Sequence, residues 1–207
     1  IVGIFTVGTV TISSSASDRF TQPFADLKTS LEKNKPLKDE VIVKVGRASI
    51  TRKNLEDLRS QKKIQMEISG QKVSLDDKDL LEKLITDELL LQKAEELHVA
   101  ASLEDGKKRA MEAREILKQS PEAQVVQQKI IESLGLTEDQ YWNDHAPAQY
   151  QKLQSISNAI DKLVELGQIP DSQDPNIYGQ NVQKFKKELY ENALTSKVVR
   201  VESKDIS

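Results

Sequence analysis

The sequence predicts a mainly α fold: several helices in one body, joined to a small β-sheet formed by an early hairpin and a C-terminal strand. Three observations predict it. Charged residues make up 30% of the 207 positions and aromatics 4%, and 8 Gly with 6 Pro are too few for a turn-rich β protein. Helix-start signals recur along the middle of the chain. Strand-favouring runs of Val and Ile, by contrast, sit at 41–45 and 48–50 and again at 197–202.

From the N-terminal side, Phe20, Phe24, Leu27 and Leu31 recur at spacings of 4, 3 and 4, a helical stripe that Asn34-Lys35-Pro36 breaks. This amphipathic arm, 18–40, reads as a packing surface against the body. Gly46-Arg47 between the two early strands fits a two-residue hairpin turn with Gly first. Thr51 then caps a helix to about 68, with Leu55 and Leu58 inward. Ser74 with Asp77 reads as a capping box, in which side chains satisfy the first free amides of a helix reciprocally. The helix it opens runs to about 98 and is apolar on more than one side, from Leu80 to Leu97. It is therefore the candidate central element.

Ser102 with Asp105 repeats the box and opens a helix to about 119, whose seam includes Gly106 and Ala110, small enough for close approach. Ser120-Pro121 starts the next, with Pro where no amide is needed, and Gly135 stops it. Thr137 with Gln140 opens a further helix that Pro147 must kink or interrupt on its way to Gly167. With Pro170, Pro175 and Gly179, the stretch 169–179 reads as a loop. A last helix carries Val182, Phe185 and Leu189. The strand that ends the chain has no sequence neighbour to pair with, so it is expected to return to the early hairpin.

The composition also excludes chemistry. No Cys is present, which removes disulfides, thiol catalysis and Cys-based zinc sites, and the two His, His98 and His145, are far apart. A net charge of −3 lacks the basic surplus of a general nucleic-acid binder. No Gly-rich phosphate loop or nucleophile elbow occurs, so no cofactor and no enzymatic activity are expected. Acidic pairs such as Asp76-Asp77 and Glu104-Asp105 read as capping and solvation residues.

Residues 1–17 are uncharged, apolar up to Ile12 and then Ser-rich, with a small-x-small pattern at Ser14-Ser15-Ala16. The segment reads as a truncated export signal or a membrane anchor; the alternative is a Thr/Val-rich strand. The chain opens on Ile, and a longer precursor is expected. An extracytoplasmic protein, secreted or anchored at the outer face of the cell membrane, follows from the export reading.

The order of elements resembles the chaperone region of the SurA and PrsA group of extracytoplasmic folding factors. The residues that carry the likeness are the hairpin and cap at 43–51, the Leu-rich helix 80–97, the junction Leu134-Gly135-Leu136-Thr137, and the late helix and strand, 185–202. The sequence departs from the group in having Gly46-Arg47 where Asn-Gly is usual. The likeness spans 41–206 and implies a multi-helix chaperone module over 41–207. It lacks the parvulin-type prolyl isomerase domain often inserted in the group, for which 168–180 leaves no room. The resemblance implies an ATP-independent holdase or folding factor that binds unfolded or partly folded polypeptides through apolar grooves. The alternative is a cell-envelope or spore-surface protein using the same fold for one dedicated partner. The long helices would also permit a homodimer.

Two patches are candidates for client binding. Ile64, Met66 and Ile68 supply apolar side chains including an adaptable Met. Tyr141, Trp142 and Tyr150 gather aromatics beside Pro147. The plainer reading is that Ile64 and Ile68 are core and that the aromatics fix a corner of the fold.

Overall fold

The computed structural model describes residues 21–203, so the export-signal reading of 1–17 and the contact of Phe20 lie outside the described residues. The first helix, α1 (Thr21–Asn34), ends in a 3-10 turn at Lys35–Asp39, where Pro36 enters. Strands β1 (Val41–Val45) and β2 (Ala48–Thr51) follow as an antiparallel hairpin. At its turn Gly46 takes a φ of +55° while Arg47 stays negative, as a turn with Gly first requires.

Helix α2 (Arg52–Ser69) opens on a capping box made by Thr51 and Asn54, and Gly70 ends it in the left-handed region. Then come α3 (Asp77–Glu96), α4 (Leu103–Leu117) and α5 (Pro121–Leu134). A short helical lead from Glu138 widens into π turns over Tyr141–His145 before α6 (Ala146–Glu165). That widening lies just ahead of Pro147, which has no amide to give and whose ring crowds the preceding turn. Helix α7 (Pro175–Thr195) and strand β3 (Val199–Val201) complete the order.

The protein is mainly α with a three-stranded antiparallel sheet in the order β2-β1-β3. The late strand does return to the hairpin: Val43 pairs with Val201 and Val45 with Val199. A bulge at Ile42 breaks the alternation of β1, and Ile42 and Val43 are both buried. They join Leu55 and Leu58 of α2 and Leu80 to Leu89 of α3 in one apolar cluster. On its other side α3 sends Leu90 into a second cluster with Leu163, Ile169 and Val182. The two-sided apolar pattern of α3 thus corresponds to cover on both sides. The α1 stripe packs inward too, where Phe24 and Leu27 meet Ile64, Val126 and Ile130.

Three local readings need correction. Ser74 and Asp77 form no capping box: Asp76 precedes the helix without a side-chain cap, and Ser74 Oγ accepts only from the Asp76 amide at 3.3 Å. The Asp77 carboxylate is taken by Arg59, which also donates to the Leu75 carbonyl. The loop over 169–179 is too long, because Pro175 occupies the first turn of α7, Asp174 accepts from the amides of Asn176 and Ile177, and Gly179 is helical. Helix α3 stops at Glu96 rather than 98. There His98 takes φ +57° and the amides of His98 and Val99 close back on Glu95 and Ala94, the hydrogen-bond pattern that ends helices when a residue turns left-handed.

Candidate functional site

Two surface clefts border the two patches singled out in the sequence. The first runs between α1 and α2, encloses about 440 Å³, and has Leu27, Leu37, Ile64 and Leu75 among its apolar lining. The chain builds it by packing the α1 stripe against α2, with Leu37 of the 3-10 turn joining the lining. Four acidic side chains (Asp26, Glu40, Glu56, Glu67) and four basic ones (Lys33, Arg52, Arg59, Lys63) line it, so the cleft carries no net charge with which to select a ligand.

Much of that rim is internally paired. Arg52 Nε donates to Glu40 at 2.9 Å, and Arg59 Nε to Glu56 at 3.0 Å. Burial opposes the Arg59 charge, but its hydrogen bonds to Asp77 and Glu56 outweigh that and hold the guanidinium above the ordinary Arg value. Such pairs keep the rim solvated and ordered while leaving the apolar floor available.

The second cleft, about 530 Å³, lies where α4 and α5 meet the helical lead to α6. Leu117, Val125, Ile131 and Trp142 supply its apolar surface, and Gln124, Gln127 and Gln128 supply amides. Below it the aromatics are interlocked. Tyr141 and Trp142 stand edge to face with centroids 5.0 Å apart, and the Arg114 guanidinium lies 5.9 Å from the Trp142 ring while pairing with Glu138 at 2.7 Å. Burial raises the Tyr141 pKa. Burial, then Tyr141, pushes Tyr150 up to about 12. The Nε2 atoms of Gln127 and His145 are buried without a hydrogen-bond partner among the described residues.

The six candidate residues divide accordingly. Ile64, Tyr141 and Trp142 are 3%, 7% and 3% exposed: Ile64 and Trp142 lie in the lining of the two clefts, and Tyr141 packs in the aromatic cluster. Met66, Ile68 and Tyr150 are half-buried, Ile68 against the cluster under the first cleft and Tyr150 against the aromatic one. The structure does not bring the six together: Ile64 and Ile68 share one cluster, Tyr141, Trp142 and Tyr150 another, Leu134 touches both, and Met66 belongs to neither.

Leu37, Leu75 and Val125 line the clefts without having been singled out from sequence. Their signals were weak, since Leu37 follows a Pro, Leu75 stands alone among polar residues, and Val125 is off the α5 seam. Val125 is 45% exposed, as an offered apolar side chain would be. Among the described residues no group of three or more His, Cys, Asp or Glu is placed to hold a metal ion, and no helix is long and apolar enough to cross a membrane.

Compared with protein-family models, curated proteins and solved structures, the chain matches none. What the site does must be argued from its own geometry.

Proposed function

We propose that the protein is an exported, ATP-independent chaperone that holds unfolded or partly folded polypeptides by binding rather than by turnover. The observation that supports this best is the α1–α2 cleft, an apolar floor within a rim of four acidic and four basic side chains. Of the polar side chains in the lining, Asn34 and Ser60 are bonded within the protein, to Asp57 and the Glu56 carbonyl; the apolar part accepts any apolar side chain, and a balanced rim neither attracts nor repels a client by its charge. Burying one client Leu or Phe in such a cleft contributes roughly 1.5–3 kcal/mol, a weak and reversible contact. A second cleft on the same body lets one extended chain engage twice, which raises avidity without specificity. The SurA and PrsA resemblance points the same way, as do the outward-facing Met111 and Ile116 of α4, which are 41% and 66% exposed.

The single Trp makes the second cleft observable. Titrating the protein with a reduced, carboxymethylated and Trp-free polypeptide should shift the Trp142 emission, and the folded form of that polypeptide should not. An unchanged emission at saturation would remove the second cleft from the binding surface. A shift produced by one protein and by no unrelated unfolded chain would favour a dedicated envelope partner instead.

A further inference from the structure

Strand β3 forms one outer edge of the sheet. At one end the Val198 carbonyl accepts from the Gly46 amide at 2.9 Å, and at the other the Glu202 amide donates to the Ile42 carbonyl at 2.9 Å. With Arg200 opposite Lys44 between them, these bonds put the backbone groups of 198, 200 and 202 on the β1 side. Alternation along the strand then turns the N–H and C=O of Val199 and Val201 away from the sheet. Among the described residues no other part of the protein hydrogen-bonds to these outward groups. Such a row is a template for one more strand. The Val201 side chain, 54% exposed, stands at the same edge.

Charge selects the strand that fits. Lys44 and Arg200 face each other across the sheet, and like charges directly opposite are unfavourable. Lys44 has Glu202 at 3.8 Å, whereas Arg200 pairs with no carboxylate among the described residues. All three side chains are exposed. An added strand that brings a carboxylate opposite Arg200 therefore offsets a repulsion already present. Arg200-Val201-Glu202 does this for a copy of itself. When two such strands pair antiparallel about Val201, Arg200 of each stands opposite Glu202 of the other. The two Val201 residues exchange both backbone bonds, and the charged pairs fall at the non-hydrogen-bonded positions, where facing side chains come closest. Pairing centred on Arg200 instead would set the two guanidinium groups against each other, so charge also fixes the register.

We propose that β3 is a dimerisation edge, onto which β3 of a second copy of this chain adds antiparallel about Val201, with an Arg200–Glu202 pair on each side. The contact is isologous, so it closes at two copies and continues one sheet through both. A short strand edge buries little area, which makes the dimer weak and reversible.

The test is sedimentation velocity of the full chain. Wild type should pass from monomer to dimer over a roughly hundredfold rise in concentration. Arg200→Glu and Glu202→Arg each set like charges opposite one another twice, and each should stay monomeric over that range. Their equimolar mixture restores two opposite-charge pairs and should sediment as a dimer. Val201→Pro removes an amide that the internal ladder does not use, and should be monomeric with an unchanged circular dichroism spectrum. Wild type that stays monomeric throughout overturns the proposal and leaves the edge to an unrelated extended chain. Dimerisation unchanged in Arg200→Glu and Val201→Pro overturns it too, since the contact then lies elsewhere. A mixture no more associated than its components overturns the charge-paired register. If Glu202→Arg does not fold, the double substitution Arg200→Glu with Glu202→Arg decides in its place: it dimerises as wild type does, or the proposal fails.

Discussion

At the scale of single residues, two glycines separate close packing from open space. A Cβ on Gly106 would stand 2.3 Å from the Pro147 carbonyl oxygen, which is backbone and cannot swing away. Gly106→Ala should therefore destabilise by about 1–3 kcal/mol, read from urea unfolding. Gly179, helical and with nothing within 4 Å of such a Cβ, should gain about 0.5–1 kcal/mol when changed to Ala. The Gly106 seam was legible in the sequence, because small residues recurred at helical spacing. Its partner was not, since nothing in the sequence says which backbone comes near.

His145 gives a prediction in pH at the same scale. Burial lowers its pKa from 6.5, so the unfolded chain takes up the proton more readily than the folded one. Its contribution to stability is present above about pH 6.5 and is lost as the pH falls through the lower folded value. The Tm of wild type should drop between pH 7.5 and 5 more steeply than that of His145→Gln. Parallel curves would show that the imidazole is not coupled to folding.

At the scale of elements, helix starts were readable where a cap depends on local groups alone. Ser102 with Asp105 and Thr137 with Gln140 form the expected reciprocal boxes. Ser74 with Asp77 has the same spacing and does not, because Arg59, 18 residues upstream of Asp77, reaches its carboxylate first. A contact between helices overrides a local propensity, and a local reading has no access to it. Ser102→Ala should cost about 1 kcal/mol in chemical unfolding, whereas Ser74→Ala should stay within about 0.5 kcal/mol. Equal costs would mean that the Ser74 hydroxyl supports the helix after all. The Pro175 error has a different cause: Pro reads as a loop breaker or as a helix opener, and only the Asp174 cap, read together with it, decides.

At the scale of the whole molecule, the return of the last strand to the hairpin was legible because an isolated strand must find a partner. The order β2-β1-β3 satisfies both edges of β1 and ties the two ends of the described chain together. The clefts were less legible. Helical spacing marked Ile64 and the gathering of aromatics beside Pro147 marked Trp142, but apolar side chains are as readily floor as offered surface. Which of the two they become depends on where α1 and the lead to α6 are laid. The further apolar lining of each site, half-buried Leu37 and Leu75 and exposed Val125, carries no periodic signal because these residues stand at element ends or off the main stripe.

The central claim is that the clefts hold non-native chains. It is tested most directly by aggregation of two unrelated denatured proteins in the presence of stoichiometric amounts of this protein without ATP. The comparison is wild type against Leu37→Glu with Leu75→Glu, with the fold of the variant checked by circular dichroism. Wild type should protect both proteins, and the variant, with charges at the mouth of the α1–α2 cleft, should lose most of that protection while keeping its helices. No protection of either protein by wild type, or equal protection by a folded variant, would contradict the account.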